Sequence, residues 1–139
     1  MPLARSVLDT SILVSAFRSR RGPAARLIAA LGTGLFEVCV SVPLVLEYEE
    51  VLCRATGLAR EEVLDVIRYM CSIAHRQKIF FLWRPLLRDP DDEMVLELAL
   101  ASRAKYIVTY NSRDFIEAER FGVEVVTPKE FLGILGVEG

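Results

Sequence analysis

The chain has 139 residues, a net charge of −2, 53% hydrophobic residues and a mean hydropathy of +0.34. That length fits one domain, 1–139, and that apolar content suits a buried parallel sheet. The charge excludes a protein that is basic over its whole surface, and no apolar run reaches the roughly 18 residues of a membrane span. Asp9 interrupts the first apolar segment and no small-residue cleavage site follows, so a signal peptide is excluded and the expected location is the cytoplasm. Cys39, Cys53 and Cys71 lack CxxC or Cys/His zinc spacing and read as reduced thiols. The lone His75 argues against a His-based metal site.

In chain order, residues 5–8 read as a strand, after which Thr10 or Ser11 can cap a helix through Phe17. A basic loop follows, with Pro23 placed to open a helix that Gly32 and Gly34 end. Residues 36–41 read as a strand, and Pro43 opens a helix to about Ala55, stopped by Thr56-Gly57. Residues 61–75 carry apolar positions at helical spacing, Val63, Ile67 and Met70 among them. Residues 79–83 read as a strand. Asp89-Pro90 starts a helix to about Ala104, residues 106–109 and 123–126 read as strands, and Pro128 opens a closing helix to Leu135. Strands alternating with helices predict βαβ crossovers: a three-layer α/β/α sandwich around a mainly parallel sheet of about five strands.

Acids sit where these apolar segments stop. Held beside hydrophobic elements, they cost free energy unless a basic partner, a helix N-terminus or a divalent cation neutralises them. Asp9 follows the first strand; it can cap the next helix, but Thr10 and Ser11 can cap it too. On a helical wheel Glu47 falls at the margin of the stripe formed by Leu44, Tyr48, Val51 and Leu52, while Glu49 points away. Asp92 lies in an acidic helix start that Asp89 and Pro90 already explain. Asn111 and Asp114 leave a strand and can either build a turn or supply oxygen ligands. In such sheets ligands bind beyond the carboxyl ends of strands, which makes Asp9 and the Asn111/Asp114 pair candidates for one edge. Oxygen donors without His or Cys suit a hard cation, Mg²⁺ or Mn²⁺, in phosphoryl-transfer chemistry.

Four segments, taken in order, resemble the PIN-domain family, specifically its small toxin-like (VapC-like) members from bacteria and archaea. They are VLDTS at 7–11, SVPLVLEYEEVL at 41–52, DPDDEMVLELA at 89–99 and IVTYNSRDF at 107–115. The resemblance implies a PIN-like α/β/α fold and an acidic, Mg²⁺/Mn²⁺-dependent ribonuclease site. Asp9, Glu47, Asp92 and Asp114 match its metal-holding and catalytic acids, and Thr10, Ser11, Thr109 and Asn111 its supporting groups. Asn111 stands where many relatives carry aspartate, and its spacing to Asp114 is one residue longer than in the commonest form. The implied function is endonucleolytic hydrolysis of RNA by the toxin of a toxin–antitoxin pair, with a cognate antitoxin and a homodimer as partners. Arg18, Arg20, Arg21, Arg84 and Arg88 are candidates for steering the RNA backbone. One rival is a non-catalytic PIN-like module that binds RNA or protein. Another is an aspartyl-nucleophile phosphotransferase, which normally wants an acid where Ser11 stands.

Overall fold

The computed structural model describes residues 3–79 and 90–137. It contains a parallel sheet of β1 (Arg5–Leu8), β2 (Glu37–Val40), β3 (His75–Arg76), β4 (Tyr106–Val108) and β5 (Glu124–Val126), in the order β3-β2-β1-β4-β5. The helices are α1 (Thr10–Arg18), α2 (Pro23–Ala29), α3 (Val42–Ala55), α4 (Arg60–Ile73), α5 (Pro90–Ser102) and α6 (Pro128–Ile134). A 3₁₀ run, Ser112–Phe121, replaces the simple turn expected after β4. Together they form the three-layer α/β/α sandwich that the alternation of strands and helices predicts.

The inner strands are sealed on both faces. Val7, Leu8, Val38, Val40, Ile107 and Val108 are all buried, the burial that continuous apolar strands of a parallel sheet require. On α3, Ser41 occupies the N-cap and accepts a hydrogen bond from the Leu44 amide, with Pro43 in the first turn. Leu44, Tyr48 and Leu52 then form the buried stripe. The Tyr48 hydroxyl donates to the carbonyl of Leu8, tying α3 to the last residue of β1. Burial first, and neighbouring acids second, hold that phenol well above its ordinary pKa, so it stays a donor. At the far end of the sheet Phe131 of α6 packs edge-on against Phe36, with ring centroids 5.3 Å apart, and tilts against Tyr106 at 5.2 Å.

Three expectations change. The helix over 61–75 ends at Ile73, because Ala74 turns extended and His75 pairs with Cys39 of β2. The sheet's outer strand is therefore His75–Arg76, and His75 is a strand residue, not the end of a helix. Ile79 carries no strand pairing, and the rest of the strand expected over 79–83 falls outside the described residues. Neither Thr10 nor Ser11 caps α1. Asp9 takes the N-cap position, and its side chain makes no capping bond.

Tyr48→Phe keeps the ring's packing and removes only the hydroxyl that donates to Leu8. The orphaned carbonyl should lower unfolding free energy by about 1–3 kcal/mol, read as a lower urea midpoint with an unchanged m-value. An unchanged midpoint would show that the bond contributes nothing.

Candidate active site

The sequence of strands runs outward from β1 through β2 to β3, then returns to β4 and β5 on the other side. The reversal falls between β1 and β4, where open α/β sheets place their ligand crevice. Asp9 directly follows β1 and Thr109 directly follows β4. Their backbones continue the sheet by one residue each, the Asp9 amide donating to Val108 at 2.9 Å and the Thr109 amide to Val126 at 2.9 Å.

Asp9 is 9% exposed. Its Oδ2 accepts from the Thr109 hydroxyl at 2.7 Å and from the Ser11 hydroxyl at 3.0 Å. Thr109 in turn accepts the Asn111 amide at 2.9 Å, so the strand exit of β4 is fastened to the carboxylate of β1. Burial raises the Asp9 pKa above its ordinary value; bonds from Thr109, Ser11 and the Thr10 backbone oppose that rise, and the Asp114 charge adds to it. Thr10 is buried beside it, and among the described residues its hydroxyl has no hydrogen-bond partner.

A cleft of about 620 Å³ opens above Asp9. Glu47 enters it from α3, Asp91 and Asp92 from the first turn of α5, and Asn111 and Asp114 from the exit of β4. Four separated segments thus bring Asp9, Glu47, Asp92 and Asp114 to one opening. Glu47 is half-buried, whereas Asn111 and Asp114 are exposed. The neighbouring glutamates of α3 engage arginines, Glu49 with Arg60 at 3.0 Å and Glu50 with Arg54 at 3.4 Å. The Asp114 amide bonds to the Asn111 carbonyl at 3.0 Å, which folds both residues into the start of the 3₁₀ run.

All these donors are oxygens, the chemistry a hard cation requires. Among the described residues no three His, Cys, Asp or Glu side chains are already gathered into a metal cage. The carboxylates line one cleft and would have to converge on a cation by side-chain rotation.

Arg18 lines the same cleft from α1, while Arg20 and Arg21 are exposed on the loop that follows and do not line it. Arg84 and Arg88 lie outside the described residues. Sequence reasoning missed Arg54, which lines the cleft from α3, and Ser15, which lines it from α1. Helical spacing could have found both: Arg54 is seven residues after Glu47 and Ser15 four after Ser11.

The Asp9 environment has a consequence for stability. A carboxyl whose folded pKa exceeds its unfolded value favours folding while protonated, below the unfolded value of about 3.9. That contribution is lost as pH rises through the folded value. In metal-free buffer the stability of Asp9→Asn relative to wild type should therefore grow as pH rises from about 4 to about 7. Urea titrations across that range check it; a flat difference would show that burial does not govern Asp9.

No curated protein matches the chain at a significant level. A chain in the crystal structure of VapBC2 from Rickettsia felis bound to a DNA fragment from their promoter superposes with a TM-score of 0.58 at 15% identity. The alignment covers 88% of this chain and 96% of that one, and at such identity it speaks for the fold. The model of the PIN domain family matches residues 5–113, which run from β1 through β4 and stop one residue before Asp114, and the chain belongs to that family.

Proposed function

We propose that the protein is a Mg²⁺- or Mn²⁺-dependent endoribonuclease. PIN domains are generally nucleases. The single observation that carries the reading is the buried Asp9 carboxylate, facing a cleft into which Glu47, Asp92 and Asp114 are delivered by three other segments. Burial and the nearby Asp114 charge both work against ionised Asp9, and hydrogen bonds alone oppose them. A divalent cation would reverse that balance.

In this reading Asp9, Glu47, Asp92 and Asp114 would hold the cation. Bound there, it supplies Lewis-acid activation of water and neutralises charge in phosphodiester displacement. The chain's own groups do the rest. Thr109 and Ser11 fix the orientation of Asp9 through Oδ2. Asp114, exposed at the cleft mouth, is placed to orient water, with Asn111 as its neutral neighbour. Arg18 approaches from α1 with the positive charge that a phosphate backbone seeks.

The similar solved chain comes from VapBC2 bound to promoter DNA. We extend that context to the toxin of a toxin–antitoxin pair, with a cognate antitoxin and a second copy of the chain as partners. Exposed Val42 and Leu46 on α3 are apolar surface that such a partner would cover.

Asp9→Asn and Asp92→Asn should each abolish Mn²⁺-dependent cleavage of RNA while leaving the circular dichroism spectrum unchanged. Mn²⁺ at about 100 times its Kd should stabilise the wild type by about 2.7 kcal/mol. It should stabilise Asp9→Asn far less. Undiminished cleavage by both variants would overturn the assignment. A wild type that neither binds Mn²⁺ nor cleaves would instead favour a non-catalytic binding module.

A further inference from the structure

The cleft is not uniformly acidic, and its charge is ordered along its length. The residues facing it include Ser11, Ser15 and Arg18 on α1, beside Thr10 and Val14, and Glu47, Val51 and Arg54 on α3, beside Ala55. Each set repeats every three to four residues, so each forms a stripe along one helix face. The two helices pack together, and Arg18 Nη2 donates to the Ala55 carbonyl at 3.0 Å, which joins the C-terminal ends of α1 and α3. Asp9 and Glu47 thus stand at one end of an interhelical groove, and Arg18 and Arg54 stand at the other. At 1.5 Å per residue the arginines lie about 10–14 Å along the helices from these acids.

Building on the nuclease reading above, we propose that this groove is the track of single-stranded RNA leaving the acid cluster, and that Arg18 and Arg54 clamp a backbone phosphate away from the bond to be cut. Three features favour that ligand. Both guanidinium groups are exposed at the cleft, and both are held only lightly. Arg18 uses one N–H on Ala55, leaving further donors in its planar fork. Arg54 meets Glu50 at 3.4 Å in a pair whose side chains are 68% and 72% exposed, a contact that a phosphate can displace. Between the arginines and the acids the walls offer a hydroxyl and an apolar patch, Ser15 and Val51, suited to ribose and base edges. An unpaired strand can turn phosphates, riboses and base edges toward such walls, whereas a duplex keeps its bases turned inward. The arginines are positioning residues: they fix the register of the strand over the acids and take no part in bond breaking.

The test uses the full-length protein and fluorescein-labelled oligouridylate, with binding read by anisotropy in EDTA and cleavage read in Mn²⁺. Arg54→Ala should weaken binding several-fold and reduce the slope of log affinity against log salt by about one. Its KM should rise while kcat at saturation is retained, and Arg54→Lys should restore the salt slope. Arg68→Ala, on the outer face of α4 and outside the cleft, should match wild type. A self-complementary RNA duplex should bind more weakly than the single strand. If wild type cleaves but Arg54→Ala keeps its affinity, slope and KM, the clamp is overturned and the nuclease reading stands. Equal affinity for duplex and single strand would overturn the track. If wild type neither binds nor cleaves RNA, the nuclease reading and the clamp fall together.

Discussion

A carboxylate sealed between the ends of two parallel strands is expensive, and the site is arranged around that expense. Asp9 sits where β1 stops, and the same residue takes the N-cap position of α1 without spending its side chain on the cap. Its Oδ2 is instead committed to Thr109 and Ser11, one hydroxyl from across the β1–β4 junction and one from its own helix. Thr109 also receives the Asn111 amide, so the geometry of the β4 exit depends on the same oxygen. Beneath it, Tyr48 donates to Leu8 and fixes α3, the helix that carries Glu47. Thr109, Asn111 and the helix that carries Glu47 are thus all tied to the end of β1.

That arrangement explains why so much acid is tolerated in one place. The acids come from separate segments and reach the cleft from different sides. Asp91 and Asp92 lie in the first turn of α5, where the helix dipole favours negative charge. Glu47 stands at the margin of a helix rather than in its buried stripe, and Asp114 is exposed. Among the described acids of the cleft only Asp9 is buried, and hydrogen bonds from Thr109, Ser11 and the Thr10 backbone reach its carboxylate. At the other end of α1 and α3, Arg18 and Arg54 give the cleft a polarity along its length.

Much of the fold is legible in the residues. Leu44, Tyr48 and Leu52 announce the buried face of α3, Ser41 and Pro43 its start, and Thr56-Gly57 its end. The apolar runs around Val7, Val38 and Ile107 announce strands buried on both faces. Local rules fail at His75, whose strand character comes from pairing with Cys39 and not from its neighbours in sequence. They fail again at Thr10 and Ser11, both competent caps by type, because Asp9 occupies the capping position and draws Ser11 into bonding its carboxylate. The 3₁₀ run after β4 is similarly invisible: its opening Asn111–Asp114 bond looks, in sequence, like any turn.

The sequence by itself determined which residues are apolar at which period, and therefore the elements, the parallel sheet and the acids left at their ends. Those are local properties, set by side-chain chemistry and by the repeat of helix and strand. Only the tertiary structure decided that the β1–β4 reversal would bring residues 9 and 109 within a hydrogen bond of each other. It also decided that Glu47 would share a cleft with Asp92, and that Arg54 would stand beside Arg18. Such meetings follow from strand order and helix packing, which close distances that no local pattern in the chain encodes.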